Sequence, residues 1–119
     1  MCKVEIGRVG WHPKGSFPYR CDRNVNSPLK NPFGGKVASK TIGKVGREEA
    51  CKLFSEYFKE QMTIPTSKVF KAVRLLLSKA RSGDFESIYL QCHCYPIFKP
   101  CTCETIKQHI EQELQNELN

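Results

Sequence analysis

The strand that decides the fold is Ile88-Tyr89-Leu90-Gln91-Cys92-His93-Cys94, a mainly apolar run that ends before Pro96. After it, apolar residues recur at every fourth position, which predicts a helix from about Cys103 to Leu118. This apolar stripe consists of Ile106, Ile110, Leu114 and Leu118. Because the stripe is narrow, we expect the helix to pack on one neighbour and to leave its acidic face in water.

One more strand and two more helices are predicted upstream. The run Val4–Val9 alternates like a strand. Gly46-Arg47-Glu48-Glu49 opens a helix, and Pro65-Thr66 opens a second one that Ser82-Gly83 ends. Both helices carry wide apolar stripes, which we assign to the core. These stripes comprise Ala50, Cys51, Leu53, Phe54, Tyr57 and Phe58, and then Val69, Phe70, Val73, Leu76, Leu77 and Ala80.

The order of these elements predicts an α/β fold, a small single-domain layered structure over residues 1–119. Its sheet is expected to be short and mostly parallel, with about three helices. Residues 10–45 are rich in Gly, Pro, Lys, Ser and Asn, and we expect a long basic loop region there. Within that region, Lys36–Ile42 has the pattern of a short edge strand.

Composition excludes several classes of protein. The chain has 119 residues, of which 39% are hydrophobic and 26% charged, as in a folded soluble protein rather than a disordered one. No apolar run approaches the ~20 residues of a membrane helix, and Met1–Glu5 lacks the apolar core of a signal peptide. We therefore expect a cytoplasmic protein that makes no use of a membrane.

The charge is positive and unevenly distributed. The formal net charge is +7, and residues 1–47 carry ten basic but only two acidic side chains. A positive field of this kind attracts phosphate-bearing ligands, nucleic acid included. A solvated surface that keeps the protein soluble is the alternative explanation, and the sequence leaves both open.

The predicted topology assembles a candidate site. Ligands of open α/β sheets bind beyond the carboxyl ends of the strands. Arg8 lies at the end of the first strand, and Cys92 lies at the end of the last one. Thr102 and Glu104 begin the final helix, whose unpaired backbone N–H groups favour anions. If the first and last strands are neighbours, these groups share one cleft. Glu104 would then bond a ribose hydroxyl or act as a general base, and its alternative role is favourable charge in the first helical turn.

Four of the seven cysteines crowd into twelve residues. Cys92, Cys94, Cys101 and Cys103 form the pattern C-x-C-x6-C-x-C, a candidate set of zinc ligands. Structural zinc sites usually have wider spacing, so two other readings stand beside zinc. The cysteines are small packed residues, or one of them is a reactive thiolate at the helix start.

These residues also carry a family resemblance. The motifs Ile6-Gly7-Arg8, Asn31-Pro32-Phe33, Gly46-Arg47-Glu48-Glu49 and Cys92-x-Cys94-x-Pro96 followed by Cys101 occur in that order. The pattern resembles a small family of phage and bacterial proteins that is catalogued as a domain of unknown function. The family pattern ends in C-H-G-D, whereas this chain has Cys101-Thr102-Cys103-Glu104. The resemblance implies a shared pocket and names no activity.

Three further motif residues are candidates for ligand contact. Arg47, like Arg8, is able to hold an anion, and the Asn31-Pro32-Phe33 turn presents the amide of Asn31 and the ring of Phe33 to a base. A structural corner that packs Phe33 into the core is the alternative explanation.

Three functions follow as hypotheses. The first is a phage or bacterial accessory protein that binds a nucleotide-like or phosphate-bearing ligand, and this hypothesis extends to hydrolytic or glycosidic chemistry at Glu104. The second is a zinc-stabilised module that binds nucleic acid through the basic first third of the chain. The third is an inhibitor that binds a host protein.

Overall fold

The computed structural model describes residues 2–22, 25–30, 44–92 and 102–118. Three strands and three helices are present in these ranges. They are β1 (Lys3–Arg8), β2 (Ser16–Arg20), α1 (Lys44–Gln61), α2 (Lys68–Arg81), β3 (Ser87–Cys92) and α3 (Thr102–Leu118). None of the helices in the described ranges is long and apolar enough to cross a membrane.

The three strands form one parallel sheet in the order β1-β3-β2. The central strand is β3, and its register pairs Val4 with Ile88 on one side and Phe17 with Ile88 on the other. The predicted α/β fold with a parallel sheet and three helices is confirmed. The first and last strands are neighbours, which is the condition that the candidate site requires.

The core lies between one face of the sheet and the helices. This inner face presents Val4, Ile88, Leu90 and Cys92, all of which are at most 5% exposed. Helices α2 and α3 pack directly on the strands, and α1 packs on α2 and α3. Among the described residues, seventeen apolar side chains form a single buried cluster, drawn from the three helices, from β1 and β3, and from the segment after β2. Because each helix turns one side toward this core, its apolar residues recur at helical spacing in the sequence.

The link between β1 and β2 crosses the outer face of the sheet. Because β1 and β2 are parallel and flank β3, residues 9–15 must return from the carboxyl edge to the amino edge over the central strand. Seven residues span at most about 25 Å, and a six-residue strand is about 20 Å long, so the path is direct. Gln91 donates its amide Nε2–H to the Trp11 carbonyl (3.0 Å), and the Glu86 N–H bonds the Gly15 carbonyl (2.9 Å).

The crossing segment begins with a sharp turn. Gly10 has φ = 108°, a conformation that a side chain makes unfavourable, and it directs the chain out of β1 and over β3. At the other end, the Ser16 hydroxyl donates to the Pro13 carbonyl (2.6 Å) and contacts His12 Nδ1 (2.8 Å). The segment also helps to bury polar groups of the outer face, since Ser16, Ser87 and Gln91 are each at most 6% exposed.

Strand β2 lies inside the stretch 10–45, where the sequence predicts a loop region and the structure instead forms a strand. It contains Pro18, which lacks a backbone donor and is tolerated because β2 lies at the edge of the sheet. The predicted edge strand over 36–42 lies outside the described residues. Helix α1 begins at Lys44, two residues before the predicted start, so its first turn contains no acidic residue.

Helix α2 begins later than predicted. Its first residue is Lys68, and Ser67 is the N-cap, with the side-chain oxygen accepting a hydrogen bond from the Phe70 N–H (3.0 Å). Pro65 and Thr66 therefore belong to the preceding turn. A serine side chain at this position satisfies one of the unpaired N–H groups of the first helical turn, so the helix begins after Ser67.

Candidate functional site

Helix α3 runs antiparallel to the strands, so it begins at the carboxyl edge of the sheet. Near its end, Glu117 forms an ion pair with Arg81, the last residue of α2. Arg81 lines the same cavity as Lys3 and Ser87, which begin β1 and β3 at the amino edge. Helix α3 has 17 residues and is therefore about 25 Å long, so Thr102 lies at the opposite edge.

Arg8 and Cys92 end adjacent strands at this carboxyl edge. Their Cα atoms are register partners in the β1–β3 ladder, and neighbours in register direct their side chains to the same face. Cys92 is 5% exposed and belongs to the core, whereas Arg8 is exposed. Within the described part of the chain, Arg8 forms no ion pair. Its guanidinium is thus available to a ligand, while the Cys92 thiol faces the protein interior.

The first turn of α3 places its residues in different environments. Thr102 and Glu104 are half-buried, and Cys103 between them is fully buried in the core. The Thr105 hydroxyl contacts the Ser55 hydroxyl of α1 at 3.1 Å, which joins the start of α3 to α1. Thr102 is the first residue of the helix. Backbone donors of this turn and the Glu104 carboxylate both belong to the carboxyl edge.

Several predicted site residues lie outside what the structure describes. Asn31, Phe33, Cys94 and Cys101 are outside the described ranges. Arg47 is on the first turn of α1, but its side chain is not described. Their predicted roles stay predictions. Arg8, Cys92, Thr102 and Glu104 are therefore the candidate residues that the structure places at one edge of the sheet.

The proposed zinc site is only partly within the described residues. Cys92 and Cys103 belong to one buried cluster, on β3 and α3. Among the described residues, no group of three cysteine, histidine, aspartate or glutamate side chains is arranged to hold a metal ion. Because two of the four proposed ligands are not described, zinc at this position stays a prediction that elemental analysis of the purified protein tests.

Trp11 is a candidate that sequence reasoning missed. It is the only tryptophan in the chain, and it lies three residues beyond Arg8 on the crossing segment. Its side chain is 66% exposed, and its ring meets that of Tyr89 at 6.0 Å between centroids and 87° between planes. The signal in the sequence was a large aromatic residue in a Gly- and Pro-rich stretch, where no core periodicity explains it.

An open cavity of about 670 Å³ lies at the opposite, amino edge of the sheet. Lys3, Lys14, Arg81 and Glu86 are among the residues that line it, and their charges are mixed. Cys2 also lines it, and burial raises the pKa of this thiol above its ordinary value. A raised pKa lowers the thiolate fraction, so Cys2 is a poor nucleophile here. The charges at this edge do not favour one class of ligand.

The fold and the carboxyl edge define a small α/β protein with three parallel strands and an exposed cation at the edge of the sheet where a helix begins. The chain belongs to a known family, because the family model "Domain of unknown function (DUF4326)" matches residues 1–112. The resemblance to a domain of unknown function is thereby confirmed. No curated protein and no solved structure matches the chain.

Proposed function

We propose that this protein binds a nucleotide-like, phosphate-bearing ligand at the carboxyl edge of its sheet. The observation that carries the proposal is the exposed Arg8 at the end of β1, next to the strand that leads into α3. Arginine holds a phosphate through two parallel hydrogen bonds, and a helix start adds backbone N–H donors. A net charge of +7 increases the encounter rate with such a ligand. We infer a phage or bacterial accessory protein acting in the cytoplasm.

The same edge supplies a group for the sugar part of the ligand. Glu104 is half-buried in the first turn of α3, and its carboxylate accepts hydrogen bonds. In the proposal it binds a ribose hydroxyl. A negative charge at the same edge as the proposed phosphate site is unfavourable for a bare anion, and this favours a ligand that carries hydroxyl groups as well as phosphate.

Calorimetric titration with ribose 5-phosphate tests the proposal. Arg8→Ala should weaken binding about 10- to 100-fold, the size of a lost charge-assisted hydrogen bond. Lys3→Ala is the matched control, since it removes one exposed positive charge from the other end of the same strand. Equal effects of the two variants would indicate general attraction by charge and contradict a site at Arg8. Absence of binding by the unmodified protein would also contradict it.

Hydrolytic or glycosidic chemistry is an extension of this proposal. It depends on Glu104, which at this edge is able to accept a proton from water. Incubation with nucleoside monophosphates, followed by chromatography for released base or phosphate, measures turnover. Glu104→Gln should abolish product formation and keep most of the binding. A binding protein without turnover would form no product with either version.

A further inference from the structure

The tryptophan on the crossing segment is held in place although its side chain faces solvent. The carbonyl of Trp11 accepts a hydrogen bond from Gln91, which is only 6% exposed. The indole ring of Trp11 contacts the ring of Tyr89. Gly10 before it and the Ser16–Pro13 contact after it fix both ends of the segment. The indole thus contacts one neighbouring ring, on a backbone that is hydrogen-bonded to β3, and has most of its surface in water.

One face of the indole is available for stacking. In a perpendicular contact of two rings, Tyr89 covers at most one face of Trp11, and 66% of the side chain is exposed. Exposed tryptophan is unfavourable in water, and it is common where a flat or apolar group binds. Nucleobases stack on such side chains whatever their hydrogen-bonding pattern.

The position of Trp11 connects it to the proposed phosphate site. Its carbonyl is bound by Gln91, the register partner of Gly7, so the residue lies at the carboxyl half of β3. Arg8 follows Gly7 and ends β1 at the same edge. Arg8 belongs to the inner-face positions of β1, and Trp11 lies over the outer face, so a ligand that contacts both must pass over the end of the strand.

We propose that Trp11 is the base-stacking residue of this site, and that the ligand therefore carries a nucleobase and is not a simple phosphate or sugar phosphate. The inference rests on the proposed function, because it takes Arg8 as the phosphate contact. Tyr89 and Gln91 act as positioning residues that hold the indole. Positive charge at Arg8 and an aromatic face at Trp11 together match a nucleotide, which has an anionic end and a flat apolar end.

The single tryptophan makes the test direct, because all indole fluorescence of the chain reports on Trp11. The four common ribonucleoside 5′-monophosphates are titrated, and adenosine and ribose 5-phosphate serve as probes of the separate parts. A nucleotide that stacks on the indole should quench the emission in a saturable way. Adenosine should quench as well, and ribose 5-phosphate should bind without quenching.

Calorimetry with substituted proteins gives the second readout. Trp11→Ala should weaken the best nucleotide about 10- to 100-fold, the range typical of one stacked base, with ribose 5-phosphate unaffected. Trp11→Phe keeps a ring and should recover much of the loss. Leu75→Ala is the matched control, because Leu75 is another exposed apolar side chain, 44% exposed, on α2. It should bind the nucleotide as the unmodified protein does.

The outcomes separate this inference from the proposed function. Nucleotide binding that depends on Arg8 but neither quenches Trp11 nor changes in Trp11→Ala overturns the inference and supports the phosphate site. Binding of the nucleotide that quenches Trp11 and that Arg8→Ala leaves unchanged supports the stacking residue and contradicts the phosphate site. Fluorescence that changes with protein concentration, together with a dimer in size-exclusion chromatography, indicates that a second copy covers Trp11 and overturns the inference.

Discussion

The ring of Tyr89 lies directly over Gly7, so closely that a Cβ atom added to Gly7 would overlap the phenol group. The two residues belong to adjacent strands, and on the same face Tyr89 supports Trp11. The absence of a side chain at position 7 thus allows a chain of contacts from β1 through β3 to the crossing segment. Glycine is required here by space and not by backbone conformation.

Gly7→Ala should therefore destabilise the protein by about 1–3 kcal/mol, the usual penalty of forcing a methyl group into occupied space. Unfolding by urea, followed by circular dichroism, measures this change in the free energy of unfolding. The emission of Trp11 should shift as well, because Tyr89 must move. In a Tyr89→Ala background the same substitution should have a much smaller effect. If Gly7→Ala lowered the free energy of unfolding equally in the natural protein and in Tyr89→Ala, overlap with the Tyr89 ring would not be the cause.

Three consecutive leucines on α2 provide an internal comparison of burial. Leu76 and Leu77 are fully buried, whereas Leu75 is 44% exposed. Leu76→Ala and Leu77→Ala should each lower the free energy of unfolding by about 2–5 kcal/mol, because they leave cavities in the core. Leu75→Ala should change it by at most about 0.5 kcal/mol. Thermal and urea unfolding of the three variants measure the difference. Similar values for all three would contradict the assigned inner side of α2.

Much of this fold is predictable because its helices pack on one face of the sheet. The stripe containing Leu76 and Leu77 and the fourfold spacing of Ile106 and Ile110 are direct consequences of that packing. The apolar run of β3 is equally clear, since a central strand needs side chains that fit a buried sheet. These patterns are local, so one sequence suffices to detect them.

The parts that escaped prediction depend on contacts between distant segments. Strand β2 is short and contains Pro18, and its position beside β3 is what makes it a strand. Trp11 gains its support from Gln91 and Tyr89, about 80 positions away in the sequence. The carboxyl-edge location of Arg8 and Glu104 was predictable, because it follows from the order of parallel strands and helices.

The N-cap of α2 allows a third prediction. The Ser67 oxygen accepts from the Phe70 N–H, and its hydroxyl donates to the Gln61 carbonyl (3.0 Å), so one side chain joins the end of α1 to the start of α2. Ser67→Ala should cost about 1 kcal/mol or somewhat more, since a cap and a second hydrogen bond are lost. Ser78→Ala on the exposed side of α2 is the control and should have little effect. Urea unfolding of both variants makes the comparison, and equal stabilities would contradict the capping role.

Ionisation of Tyr19 should lower the stability of the folded protein at alkaline pH. Burial raises the pKa of Tyr19 above its ordinary value, an effect that the nearby Cys21 reinforces and a hydrogen bond with Ser27 partly opposes. Because the unfolded chain releases this proton at lower pH than the folded protein, the associated stability is complete below about pH 10 and is lost as pH rises toward the folded pKa.

Tyr19→Phe removes this titration. The free energy of unfolding of the natural protein should therefore fall more steeply than that of Tyr19→Phe as pH rises from about 9 to about 11. Comparing the two proteins at each pH cancels the titration of lysines and of the other tyrosines. Ultraviolet titration of the phenolate should show one tyrosine that ionises later in the folded protein than in urea. Parallel pH profiles for the two proteins would show that burial at β2 does not hold the phenol neutral.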